Sequence, residues 1–114
     1  MKRTRRREEP AGRRIVYAPR AQRDLKALQK KFALQILDDI PILEQASWPA
    51  GKVKKLKGTD YWEIKTGDFR TIFWPTGDTV VILRVVDRRD LLKAIKHVNP
   101  DALVRWFMEY QQGE

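Results

Sequence analysis

One change of rhythm divides this chain. Before Gly51 its apolar residues recur every three or four positions, and after Gly51 they recur at every second one. Ala21, Leu25, Leu28, Phe32, Ile36, Ile40 and Leu43 keep the first spacing, which lines one face of a helix. A single helix would have to run past Pro41, whose ring clashes with the preceding turn. Two antiparallel helices breaking near Lys30–Lys31 are therefore expected, with Trp48-Pro49-Ala50-Gly51 closing the second. Pro19 suits the first turn of the first helix, where its missing N–H costs nothing.

After Gly51 the alternation predicts four strands, over 53–56, 61–66, 69–74 and 79–86, and Ile15-Val16-Tyr17 is a further short candidate. Gly58-Thr59-Asp60, Gly67-Asp68 and Thr76-Gly77-Asp78 separate the four, the last two as antiparallel hairpin turns. Residues 90–97 read as helical. Asn99-Pro100-Asp101 is the start signature of a last helix: a capping side chain, a proline at the first position and an acid near the positive end of the dipole. Leu103, Phe107 and Tyr110 share a face of it. The expected fold is α+β, two N-terminal helices packed on a small twisted antiparallel sheet of about four strands, with C-terminal helices. A length of 114 residues allows one core. The expected division is a basic disordered arm over 1–14, a domain over 15–98 and a C-terminal helix over 99–114.

Composition removes several classes of function. There is no cysteine and only one histidine, which excludes a disulfide scaffold, a cysteine nucleophile and a Cys/His zinc site. No metal or other cofactor is expected. No apolar stretch approaches the roughly eighteen residues of a membrane span, and no charged-then-apolar leader is present, so a cytoplasmic protein without a membrane partner is expected. The net charge of +9 is sorted along the chain: residues 1–31 hold 12 Lys/Arg against 3 Asp/Glu, and the remainder holds 12 of each. Residues 52–70 carry six basic side chains against Asp60, Glu63 and Asp68, and residues 84–96 carry a second basic excess. Such clusters suit a polyanionic partner.

The first hairpin gathers those cations. With Gly67-Asp68 as a two-residue turn, Thr66 pairs with Phe69 and Lys65 stands opposite Arg70 on one sheet face. That face then carries Tyr61, Glu63, Lys65, Arg70, Ile72 and Trp74. The other carries Trp62, Ile64, Thr66, Phe69, Thr71 and Phe73 and should pack on the helices. Carrying the register through the next turn places Val85 opposite Arg70, and the chain leaves that strand at Asp87-Arg88-Arg89-Asp90 near the same end. Lys65, Arg70 and Arg88 or Arg89 should converge. Opposed cations repel unless an anion or acidic partner lies between them. Lys52, Lys54, Lys55 and Lys57 are candidate nucleic-acid contacts, and Trp74 on the same face can stack on a base. His97, at a helix end, is read as a dipole-stabilised structural residue.

The runs Lys55-Leu56-Lys57-Gly58, Tyr61-Trp62-Glu63-Ile64-Lys65, Gly67-Asp68-Phe69-Arg70-Thr71-Ile72-Phe73 and Val81 through Asp90 resemble, in order and spacing, the RelE/ParE toxin family. The resemblance spans roughly residues 15–95. It implies the RelE-like microbial RNase fold and a toxin of a type II toxin-antitoxin module, neutralised by a cognate antitoxin that wraps the basic face. Its RelE branch implies an mRNA interferase, an endoribonuclease cutting translated mRNA on the ribosome without metal, by attack of a 2′-hydroxyl on the adjacent phosphate. Lys65 then falls on a lysine that deprotonates or orients the hydroxyl, Arg70 on an arginine that holds the phosphate, and Arg88 on one that stabilises the transition-state charge. Two positions depart from the pattern. Glu63 stands where a second lysine is common, either as a base or as a neutralising partner for Lys65, and Leu92 stands where a stacking tyrosine is common. Tyr61 or Tyr110 is a candidate replacement for that ring. The ParE branch implies the alternative, a non-enzymatic inhibitor of DNA gyrase, and a degenerate member that only pairs with an antitoxin is a third reading.

Overall fold

The computed structural model describes residues 12–113. Two helices precede the sheet as expected: α1 (Pro19–Ala27) and α2 (Lys30–Asp39). They break at Leu28 and Gln29, whose extended backbone separates them just ahead of the expected position. Pro41 ends α2, and the chain tightens there into a 3₁₀ turn, Ile40–Glu44, well before Trp48.

The sheet has five strands, not four. They are β1 (Arg14–Tyr17), β2 (Val53–Lys55), β3 (Trp62–Thr66), β4 (Phe69–Thr76) and β5 (Thr79–Asp87), in the order β1-β5-β4-β3-β2. The candidate at Ile15 is β1, and it pairs parallel with β5, so the sheet is mixed, its other pairings being antiparallel. Most of the expected basic arm, residues 1–11, lies outside the described residues. Its last two positions are ordered: Arg14 opens β1, and the Arg13 guanidinium donates to the Gln45 carbonyl oxygen at 2.7 Å and lies 4.5 Å from the Trp48 ring centroid.

A bulge changes the register expected at β5. Ile72 faces Arg84 while Phe73 faces Ile82, so Leu83 is an extra residue. Arg70 consequently lies opposite Val86 rather than Val85. Val85 turns to the opposite face.

Two apolar clusters sandwich the sheet. Ala21, Ile36, Ile40 and Leu43 from the N-terminal elements pack on Val53, Ile64, Phe73, Val80, Ile82 and Val85, with Trp48, Trp62 and Phe69 at the margin. On the other face, α3 (Leu91–Lys96) and α4 (Pro100–Gln112) bring Ala94 and Phe107 onto Tyr61, Ile72, Val81, Leu83 and Val86. The Asn99 side chain caps α4, its Oδ1 accepting the Ala102 N–H at 3.1 Å. These helices cover only part of that face. The cluster reaches the end of the sheet that holds Glu63, Lys65 and Arg70 only through Ile72, opposite Glu63, and Val86, opposite Arg70.

Candidate nucleic-acid interface

The site is built around one tight turn. A two-residue hairpin loop needs positive φ at its first position, and Gly67 supplies it at +56°. That fixes Lys65 opposite Arg70. The Arg70 Nη1 donates to the carbonyl oxygens of Gly67 and Phe69, each at 2.9 Å, so the guanidinium folds back over the turn. Arg88 reaches the same turn from the end of β5: its backbone N–H donates to the Asp68 carbonyl oxygen at 2.8 Å, and its Nε lies 3.7 Å from Asp68 Oδ1. Lys65, Arg70 and Arg88 thus surround one hairpin.

Glu63 is buried, at 5% exposure, and its Oε1 lies 3.4 Å from Arg70 Nε. Among the described residues its charge is paired with Arg70, the diagonal neighbour across the strands, and no pairing with Lys65 is present. Lys54, on β2, faces Glu63 and is exposed. This row of three strands presents Lys54, Lys65 and Arg70 with a single carboxylate sunk among them.

Other expected contacts have local partners. Lys52 Nζ lies 2.8 Å from Asp39 Oδ2, which also accepts from Thr66 Oγ1 at 2.6 Å. Burial raises the Asp39 carboxyl, but the hydrogen bonds from Lys52 and Thr66 and the Lys52 charge outweigh it and hold the group below the usual carboxylate range. Lys55 Nζ donates to the Thr59 carbonyl oxygen, and Lys57 is exposed in the loop after β2. Arg89 closes on Asp87, Nε to Oδ1 at 3.0 Å, rather than on the Gly67 turn. The Arg89 backbone and side-chain hydrogen bonds hold the Asp87 carboxyl below its ordinary value.

The aromatic expectations need correction. Trp74 shares the face of Arg70, but α4 lies over it: its ring meets Phe107 edge-on, centroids 5.8 Å apart. Tyr61 is buried in the same cluster, and burial, helped by Asp60, pushes its phenol upward. Tyr110 stacks on Trp106 at 5.4 Å and borders β1, the opposite edge of the sheet from β2. Neither tyrosine joins the cation cluster. Leu92, in α3, is 73% exposed. His97 Nδ1 donates to the Lys93 carbonyl oxygen at 2.8 Å, and the residue sits at the C-terminal end of α3.

One partner was not visible in the sequence. Asp24 of α1 accepts from Arg84 Nε at 2.8 Å and from the Val85 N–H at 2.9 Å. With Arg20, Lys93 and His97 it lines a cavity of about 590 Å³ between α1, β5 and α3. Its spacing from Arg84 gives no local signal. Among the described residues no group of three or more His, Asp or Glu side chains is placed to hold a metal ion, and no helix is long and apolar enough to cross a membrane.

The fold has known counterparts. The family model for the ParE toxin of type II toxin-antitoxin systems matches residues 15–92. The archaeal RelE–RelB complex from Pyrococcus horikoshii contains a chain that is 26% identical, with a TM-score of 0.58, over 68% of this chain and 96% of that one. The RelB–RelE antitoxin–toxin complex from Methanococcus jannaschii gives 25% identity and a TM-score of 0.51, over 69% and 96%. The same fold occurs in the RelBE2 toxin–antitoxin complex from Mycobacterium tuberculosis, at 22% identity and a TM-score of 0.58, over 67% and 98%. No curated protein sequence matches the chain significantly.

Proposed function

Because the chain belongs to the ParE toxin family of type II toxin-antitoxin systems, we propose that it is the mRNA-cleaving kind of toxin, acting on translated message at the ribosome. One observation carries this reading: Lys65, Arg70 and Arg88 are gathered on a single hairpin turn, the arginines by backbone contacts and Lys65 by strand register. Such a cluster suits a phosphodiester, whose non-bridging oxygens gain charge as the transition state forms. In the proposed step the 2′-hydroxyl oxygen bonds to phosphorus and the P–O5′ bond breaks. The hydroxyl proton leaves for a base, for which the neutral amine form of Lys65 is the group at hand, and the 5′-oxygen takes up a proton from water. The products are a 2′,3′-cyclic phosphate and a 5′-hydroxyl. Arg70 holds the phosphate, Arg88 stabilises the added charge, and Lys54 and Lys57 follow the RNA backbone. A cognate antitoxin covering this face would silence it, which agrees with the toxin–antitoxin assemblies of the related structures.

Inducing the chain without an antitoxin should stop translation and leave messages cut within codons, mapped by 5′-end sequencing of RNA from the arrested cells. Arrest with intact message would overturn the proposal. A second reading, gyrase inhibition without catalysis, is favoured by Leu92, an exposed aliphatic where a stacking ring is expected. Loss of DNA supercoiling by purified gyrase, with message untouched, would select it. Absence of any growth arrest would instead select a member that only pairs with an antitoxin.

A further inference from the structure

Resting on the phosphodiester reading above, we infer that Glu63 is a positioning residue that works through Arg70, and that it is not the base of the reaction. A guanidinium has five N–H donors in a rigid plane. Arg70 commits both Nη1 hydrogens to the carbonyl oxygens of Gly67 and Phe69, and its Nε lies 3.4 Å from Glu63 Oε1, an ion pair without a hydrogen bond. The Nη2 edge alone is left for a ligand. Its direction is set by the turn at one corner and by Glu63 at another.

Glu63 is poorly placed for proton transfer to a substrate. Its side chain is 7% exposed, and its Oε1 makes no hydrogen bond, so the ion pair with Arg70 is what compensates its burial. A carboxylate so little exposed is less open to a 2′-hydroxyl docked on the sheet surface than Lys54 and Lys65, which stand nearer to solvent. It does hold the guanidinium against the repulsion of Lys65 across the strands. The anion that opposed cations demand is thus partly built into the sheet, and the remaining demand is met by the ligand.

The test is a double-mutant cycle on the full chain, using single-turnover cleavage of a ribosome-bound message and circular dichroism to check the fold. Glu63→Gln should lower the rate about 10- to 100-fold at unchanged KM, the scale of a misaligned catalytic group, and leave the shape of the pH–rate profile as in wild type. Added to Arg70→Lys, it should have no further effect, since the group through which it acts is already altered. Multiplied effects, or loss of one limb of the pH profile in Glu63→Gln, would identify a base and overturn the inference. Hydrogen exchange at Arg70 Nε, followed by ¹⁵N NMR on the free protein, gives a readout independent of cleavage. The Nε–H should exchange at least about tenfold faster in Glu63→Gln than in wild type. If wild type cuts no message, the nuclease reading fails while this exchange still decides the role of Glu63; equal exchange in the two proteins overturns it.

Discussion

The backbone N–H of Arg88 donates to the carbonyl oxygen of Asp68 at 2.8 Å, so the segment leaving β5 is pinned to the turn between β3 and β4. Arg70 is bonded to the carbonyl oxygen of Gly67 in that turn. Two arginines distant in sequence therefore take their position from one dipeptide. The turn acts as the site's reference point.

Gly67→Ala tests that dependence. A Cβ at Gly67 would meet no atom within 4 Å, so the cost is purely one of backbone conformation at φ +56°. An L-residue there loses about 1–2 kcal/mol. Urea denaturation should show that loss, and toxicity should fall further than the stability change explains, because both arginines shift. Gly67→Asn, which tolerates this region better, should recover most of both.

Arg70 and Lys65 call for different mutational designs. Lys65 is half-buried, and its backbone N–H, which bonds to the Lys52 carbonyl oxygen, is untouched by truncation. Lys65→Ala should change stability by no more than about 0.5 kcal/mol and lower toxicity by roughly two to three powers of ten. Arg70→Ala instead leaves Glu63 buried and unpaired, at a cost of about 3 kcal/mol. Pairing it with Glu63→Ala should return most of that stability without returning toxicity. Thermal melts and growth assays on the three proteins separate the two effects. Toxic, stable Arg70→Ala/Glu63→Ala protein would remove Arg70 from the mechanism.

The opposition of Lys65 and Arg70 was legible because a two-residue turn leaves one register, and the alternating faces of β3 and β4 followed from it. The bulge was not. Leu83 closes the apolar run Val80–Leu83, and nothing in that run marks which residue is the extra one. The sequence pairs Glu63 with Lys65, and the pairing with Arg70 found instead depends on the diagonal reach of a guanidinium held back over its own turn. Trp74 is left on the open face by the sequence because the apolar stripe of α4 does not say which part of the sheet it covers. β1 is legible as a segment, but its parallel pairing with β5 is a long-range contact with no local mark.

Acid stability should depend on Asp39. Its folded pKa lies below the ordinary carboxylate value, despite the opposing effect of burial, because Lys52 and Thr66 bond the charged form. The sign follows from linkage: this stabilisation is fully present above the unfolded value of about 3.9 and is lost as pH falls through the lower folded value. Asp39→Asn should therefore destabilise the protein near neutrality and flatten the decline of stability below about pH 4. Urea midpoints measured between neutral and acidic pH check this. Parallel curves for the two proteins would place the acid sensitivity elsewhere.

Asp24 performs a task usually left to a neighbouring strand. β1 accompanies β5 only as far as Ile82, and the Ala18 N–H adds one further bond to the Ile82 carbonyl oxygen at 2.9 Å. Beyond that point β5 has an open edge, and the Asp24 carboxylate takes the Val85 N–H there while pairing with Arg84. The two side chains are mostly buried, 12% and 18% exposed, so neither is well hydrated if the other is lost. Asp24→Ala leaves an orphaned N–H and an unpaired guanidinium, and should cost about 3 kcal/mol, which lowers Tm by roughly 10–15 °C in a domain of this size. Asp24→Asn keeps an oxygen for Val85 and should cost less. Arg84→Met replaces the cation with an apolar side chain and should cost less again when combined with Asp24→Asn than the two single changes sum to, since the pair shares one desolvated contact. Additive losses in that cycle would show that the Val85 hydrogen bond alone holds the edge.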